Sequence, residues 1–185
     1  MPASAHAIAA ALRERLPGLA IQKLHKLLYY SQGHHLATFG KPLFNDTISA
    51  WDRGPVVGTL WRQEKDGDVP DGSLPKLGEA ELNTIGYVAS RYGALSGQDL
   101  EHLTHSETPW QRADAMRRPR ESVRIEPEWI EEYFTGPGAD DAAEEGIVLD
   151  SAEVTTWLSD ARERLADPLQ VDDLDAIREK LAARG

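Results

Sequence analysis

The chain has 185 residues, of which 41% are hydrophobic and 28% charged, an ordinary globular composition rather than a disordered or membrane one. It has no cysteine, which excludes disulfides, thiol nucleophiles and cysteine-based zinc sites. The net charge of −11 is carried by one end: residues 1–125 hold 15 basic and 14 acidic residues, and residues 126–185 hold 5 basic and 17 acidic.

The first segment, 4–16, is expected to be helical. Ser4 caps it, Ile8, Ala9, Leu12 and Leu16 recur at helical spacing, and Pro17-Gly18 ends it. No basic stretch precedes its apolar part, and Arg13, Glu14 and Arg15 interrupt it, so it is read as a helix and not a signal peptide. A second helix spans about 20–39. Ile21, Leu24, Leu28, His35, Leu36 and Phe39 fall near one face, and Gly40 suits its C-terminal cap. Gly33 costs about 1 kcal/mol against alanine in mid-helix, a sign that another backbone packs closely there. A short β-hairpin is expected at about 42–52, with Asn45-Asp46 as its turn. Gly54-Pro55 is expected to open a third helix, carrying Val56, Val57, Leu60 and Trp61 and ending near Gly67.

Residues 66–78 read as a Gly/Pro/Asp-rich loop, and 79–92 as a helix with Leu82, Ile85, Val88, Ala89 and Tyr92 inward. Ser96 to Asp99 has the form of a capping box. Thr108-Pro109-Trp110 opens a further helix, MRRPRESVR (116–124) is an exposed basic stretch, and Pro127 starts another short helix. The fold class is therefore mainly α, with one small hairpin. Residues 136–146, GPGADDAAEEG, form an acidic linker. Residues 147–185 form an acidic helical extension, with Val154, Trp157, Leu158, Leu165, Leu174, Ile177 and Leu181 in apolar stripes too small for a core of their own.

Candidate chemistry is sparse. His102-x-x-His105 places two histidines on one helical face, but no third ligand follows and capping or core bonding explains them better. His34 and His35 are adjacent and point in different directions, as satisfied core or interface histidines do. Ser31 and Ser106 lie outside any nucleophile elbow, and no glycine-rich phosphate loop is present. Nothing argues for an enzyme, a metal or a cofactor; a hydrolase using His105 and Glu107 is the residual enzymatic alternative. No apolar run reaches the roughly 20 residues of a membrane span. Lys23 and Lys26 beside Tyr29 and Tyr30, with Arg117, Arg118, Arg120 and Arg124, give a basic and aromatic signal, so a nucleic-acid-binding regulator is the main alternative function. Trp51, Arg53, Trp61 and Trp110 belong instead to the residue types that anchor protein interfaces.

Four phrases stand in a familiar order. Lys26-Leu27-Leu28-Tyr29-Tyr30-Ser31-Gln32-Gly33, Pro42-Leu43-Phe44, Ile48 with Ala50-Trp51 and Gly54-Pro55-Val56-Val57, and Leu103-Thr104-His105-Ser106-Glu107 with Pro109-Trp110 together resemble the Panacea domain, a SocA-like antitoxin domain. The resemblance covers about residues 5–135, so a domain at 1–135 is expected. It implies a mainly helical domain with a hairpin and no catalytic role. It implies a cytoplasmic bacterial antitoxin that neutralises a cognate toxin by protein–protein contact. Delivery of the toxin to a AAA+ protease is a variant of that role, and self-association is left open. Arg53 stands where the family often has an aromatic residue or histidine. Lys26, Tyr30, His34, Trp51, Arg53, Pro55, Trp61 and Trp157 are the expected partner contacts, and the acidic 136–185 segment is expected to wrap a basic partner surface.

Overall fold

A computed structural model describes residues 2–67 and 75–137. Seven helices and three short strands follow one another in the order α1 (Ala5–Arg15), α2 (Ile21–Phe39), β1 (Ile48–Trp51), β2 (Gly54–Val57), α3 (Gly58–Asp66), α4 (Glu79–Tyr92), α5 (Gly97–Ser106), α6 (Thr108–Met116), β3 (Val123–Arg124) and α7 (Pro127–Thr135). The strands form one antiparallel sheet ordered β2-β1-β3, with Ala50 opposite Pro55 on one side and Val123 on the other. The mainly helical class with a hairpin is as the sequence predicts. The acidic linker from 138, the 147–185 extension and Trp157 lie outside the described residues.

α2 is the axis of the domain. Helices α1, α4, α5 and α7 and strand β2 all pack on it. Every residue from Leu24 to Gly33 is buried, so this is an enclosed helix and not the one-faced helix its periodicity suggests; Ile21 is half-buried and Phe39 is exposed. Its polar residues are satisfied inside. Gln32 Oε1 accepts from the Leu43 and Phe44 amides at 3.0 and 3.2 Å, and its Nε2 donates to Phe44 O at 3.2 Å. That side chain does for residues 43–44 what a neighbouring strand would do, and Ala3 adds a further backbone bond to Leu43 O at 2.9 Å.

This explains why the hairpin is shifted from its expected place. Pro42-Leu43-Phe44 is held by Gln32 and by an isolated parallel β-bridge between Ala3 and Phe44, not by a hairpin strand. Asp46 is no turn residue: its carboxylate accepts from Ala5 N at 3.1 Å and from Thr59 Oγ1 at 3.1 Å, tying the start of α1 to α3. The turn falls at Asp52-Arg53, and Gly54-Pro55 is strand, not helix. β2 is an edge strand, where a proline's missing N–H is tolerated. Leu82 is also exposed rather than inward, whereas Ile85, Val88 and Tyr92 are buried as expected.

The caps are those the sequence encodes. Ser4 Oγ accepts from Ala7 N, and Ser96 with Asp99 forms a full capping box.

Gly33 meets a ring, not a backbone. A Cβ added there would lie 2.3 Å from the Phe134 ring. Phe134 is itself buried and sits edge-on to Tyr29, Tyr30 and His34, so it has little room to retreat. Gly33→Ala gains about 1 kcal/mol of helix propensity but overpacks this contact at a cost of about 1–3 kcal/mol. The expected result is a net loss of about 1 kcal/mol, read by urea denaturation. A variant as stable as the parent would mean that Phe134 moves aside freely.

Candidate partner-binding site

The β1–β2 corner is held on three sides. Trp51 Nε1 donates to Ser122 Oγ at 3.0 Å, and Trp110 Nε1 donates to Trp51 O at 3.3 Å. Arg117 donates to Asp52 in the turn and to Asp114 Oδ1 at 2.6 Å near the end of α6. Gly54, at φ +105°, makes the turn possible where a side chain would be strained. It also lets the strand approach α2: a Cβ on Gly54 would stand 3.2 Å from Lys26 Cε and 3.0 Å from Thr104 Oγ1. The Lys26 side chain therefore runs beneath the turn, and Arg53 is presented on it, exposed, with one long hydrogen bond to Gln22 at 3.5 Å.

Beside this corner lies a cavity of about 520 Å³. Its inner side is the α2 pair His25 and Lys26, each only 2% exposed. Its apolar wall is Trp51 and Trp61, whose rings meet edge to face at 5.2 Å. Arg53, Arg117 and Arg120 also line it, with the acids Asp52 and Glu121. Arg120 holds φ +66°, a left-handed conformation that costs a non-glycine residue about 1–2 kcal/mol.

Both α2 residues are short of partners. The Val57 amide donates to His25 Nδ1 at 3.2 Å, so the proton of the neutral ring sits on Nε2. That buried Nε2 has no hydrogen-bond partner among the described residues. Burial pushes His25 down to about 4, which keeps it neutral near pH 7. No described residue forms a hydrogen bond or ion pair with Lys26 Nζ. Burial also lowers the Lys26 pKa, with Glu101 opposing and Arg53 adding to the shift.

A second buried titratable group, Glu107 at the junction of α5 and α6, meets the same helix from outside. Glu107 accepts from the Tyr29 hydroxyl at 2.8 Å and the Tyr30 hydroxyl at 2.7 Å, and forms no ion pair among the described residues. Burial raises its pKa to about 7, against the pull of the two hydroxyls. Tyr30 in turn stacks on Tyr92 at 4.1 Å.

The structure brings Lys26, Trp51, Arg53 and Trp61 of the expected contacts to one cavity. Pro55 is buried in β2. Tyr30, 2% exposed and bonded to Glu107, is an interior residue and not the surface contact expected of it. His34 is half-buried and bonded to the Tyr92 hydroxyl at 2.8 Å, away from the cavity. His35 bonds Thr84 Oγ1 at 2.8 Å, and His105 stacks on Trp110 at 3.9 Å. Glu107, 3% exposed with its two oxygens engaged by tyrosines, is closed to a substrate. No group of three or more His, Asp or Glu that could hold a metal ion occurs among the described residues.

The basic stretch is less free than its sequence suggests. Arg117 is tied to Asp52 and Asp114, Arg124 pairs with Glu126 at 3.1 Å, and Lys23 donates to Gly93 O at 2.6 Å. By sequence His25 reads, with His34 and His35, as a satisfied core or interface histidine, whereas its Nε2 has no partner among the described residues; its neighbour Lys26, a cation inside the apolar run LHKLLYY, was the available signal that this turn of the helix faces something polar.

Residues 24–111 match the family model described as antitoxin SocA-like, Panacea domain. No curated protein and no solved structure matches the chain. No described helix is long and apolar enough to cross a membrane.

Proposed function

We propose, from the premise that residues 24–111 belong to the antitoxin SocA-like Panacea family, that this protein is a cytoplasmic antitoxin that neutralises a cognate toxin by direct contact. The observation that carries the reading is the β1–β2 corner with its cavity, which lies largely on the matched segment. A rigid turn presents exposed Arg53 beside two half-buried tryptophans, the residue types that dominate interface energetics. Binding rather than catalysis is the proposed activity, and no cofactor takes part in it.

The nucleic-acid alternative draws less support. Of its named cations, Arg117, Arg124 and Lys23 are engaged within the domain and Lys26 is buried. The acidic excess of residues 126–185 is also repelled by phosphate backbones.

The test is growth rescue. The gene beside this one is expressed in a bacterial host with and without this protein. Relief of toxicity, with the two proteins co-purifying, is the expected result; a harmless neighbour and no stable complex would overturn the reading. In that assay Arg53→Ala and Trp61→Ala are each expected to weaken the complex by about tenfold or more while leaving the fold intact. The same rescue in a host lacking AAA+ proteases separates direct neutralisation, which survives, from proteolytic delivery, which does not.

A further inference from the structure

The cavity's chemistry specifies its occupant more closely. Among the described residues it holds two donors without acceptors, the buried Nε2–H of His25 and Lys26 Nζ, both on lining residues that are only 2% exposed. Buried donors are normally paired, and an unpaired one is costly. Charge in the lining is unbalanced in the same sense. Arg117 is already shared between Asp52 and Asp114. Among the other lining residues Lys26, Arg53 and Arg120 face one acid, Glu121, with Glu101 acting on Lys26 from outside the lining. Arg120 is held at the rim in a backbone conformation that disfavours arginine, φ +66°, and such strain concentrates at functional sites.

We propose that this cavity receives an acidic side chain of the partner protein, whose carboxylate is held by Lys26 and His25 while its apolar flank lies against Trp51 and Trp61. The proposal rests on the antitoxin reading for the source of the carboxylate, and on the cavity alone for its chemistry. A carboxylate offers two acceptor oxygens, matching the two donors. A neutral amide offers one, and cannot answer the cationic excess. The Trp51–Trp61 wall selects for an acid carried on an apolar stem, as in glutamate next to an aromatic or aliphatic residue. An acidic occupant agrees with the exposed Arg53 and Arg120 at the mouth, which steer an anion inward.

The experiment uses the full chain, labelled with ¹⁵N, and two blocked tripeptides, acetyl-Leu-Glu-Phe-amide and acetyl-Leu-Gln-Phe-amide, with acetate as a third titrant. Selective shifts of the Trp51 and Trp61 indole signals by the glutamate peptide are expected. The glutamine peptide is expected to bind at least about tenfold more weakly, the loss of one charge-assisted pair. Lys26→Met keeps the stem and removes the charge, and is expected to abolish the preference for glutamate. Arg53→Ala, on the surface and outside the core, is expected to weaken the glutamate peptide severalfold and serves should Lys26→Met fold poorly. Equal binding of the two peptides, or none by either, would overturn the proposal. Acetate binding as well as the peptide does, with the same Lys26 dependence, would also overturn it, since the cavity would then be a small-anion site. Rescue that persists in Lys26→Met at wild-type strength would sink the carboxylate contact and leave the antitoxin reading standing. Peptide discrimination without any rescue would sink the antitoxin reading and leave the cavity's chemistry standing.

Discussion

Glu107→Gln is expected to stabilise the protein by about 3 kcal/mol at pH 8 and to leave it nearly unchanged at pH 5. Burial raises the Glu107 carboxyl from 4.5 to about 7 in the folded chain. The folded state therefore keeps a proton that the unfolded state gives up. That stabilisation is complete below about 4.5 and is lost as pH rises through about 7. Glutamine imitates the protonated form, accepts from one tyrosine and donates to the other, and does not ionise. His25 works in the opposite sense. Its folded pKa is pushed from 6.5 to about 4, so its contribution is complete above about 6.5 and is lost as pH falls through about 4. Burial lowers His35 and His105 as well, adding to that acid branch. The two trends oppose one another between about 4.5 and 6.5, and the parent protein is expected to show a shallow pH profile there. Glu107→Gln removes one of them, so the variant should lose stability steadily on acidification. Urea denaturation of both proteins from pH 5 to 8 checks this. A variant that is less stable by the same amount at every pH would show that the tyrosine hydroxyls fully accommodate the ionised carboxylate.

A fragment limited to residues 24–111 is expected not to fold, whereas residues 1–137 are expected to show cooperative unfolding. The matched segment omits α1, β3 and α7. Those elements, with Ile125 just after β3, supply Ile8, Leu12, Ile125, Ile130 and Phe134, all buried in the hydrophobic core of the described residues. Each fully buried side chain of that size contributes about 1.5–3 kcal/mol. Their joint loss rivals the whole stability of a small domain, about 5–15 kcal/mol. Without α1 and α7, α2 would also expose flanks of Leu24, Leu27, Leu28 and Tyr29 that have no polar substitute. Circular dichroism with thermal unfolding distinguishes the outcomes. A cooperative transition in the 24–111 fragment would mean that the flanking helices decorate the core and do not complete it.

Much of this architecture was legible in the residues. Ser4, Ser96-Asp99 and the prolines at 109 and 127 announce helix starts by chemistry that acts within one turn. The α4 span, 79–92, follows from a clear 3.6-residue period. The hairpin was misplaced because its cause is not local. Leu43 and Phe44 look like a strand, but their amides are satisfied by Gln32, distant in sequence, and Asp46 is engaged by Ala5 and Thr59. Gly54-Pro55 opens helices often enough to mislead, and only the presence of β1 alongside makes it an edge strand. The site was half visible. Trp51, Arg53 and Trp61 stand out by residue type. That Lys26 is an interior cation, and that Tyr30 answers to Glu107 rather than to a partner, depends on packing over α2 from four helices, which periodicity cannot express.

One helix, α2, supplies both the centre of the core and the inner side of the cavity, while the rim comes from elsewhere: Trp61 on α3, Arg53 on the hairpin turn, Arg120 on the turn before β3. The two parts are therefore free to change at different rates. A substitution in the enclosed stretch of α2, Leu24 to Gly33, disturbs the core, because every residue there is buried. A substitution at the rim meets solvent on one side and leaves the core as it was. Specificity in this scaffold can drift residue by residue from one partner to another over evolutionary time, with the interior acting as a fixed chassis.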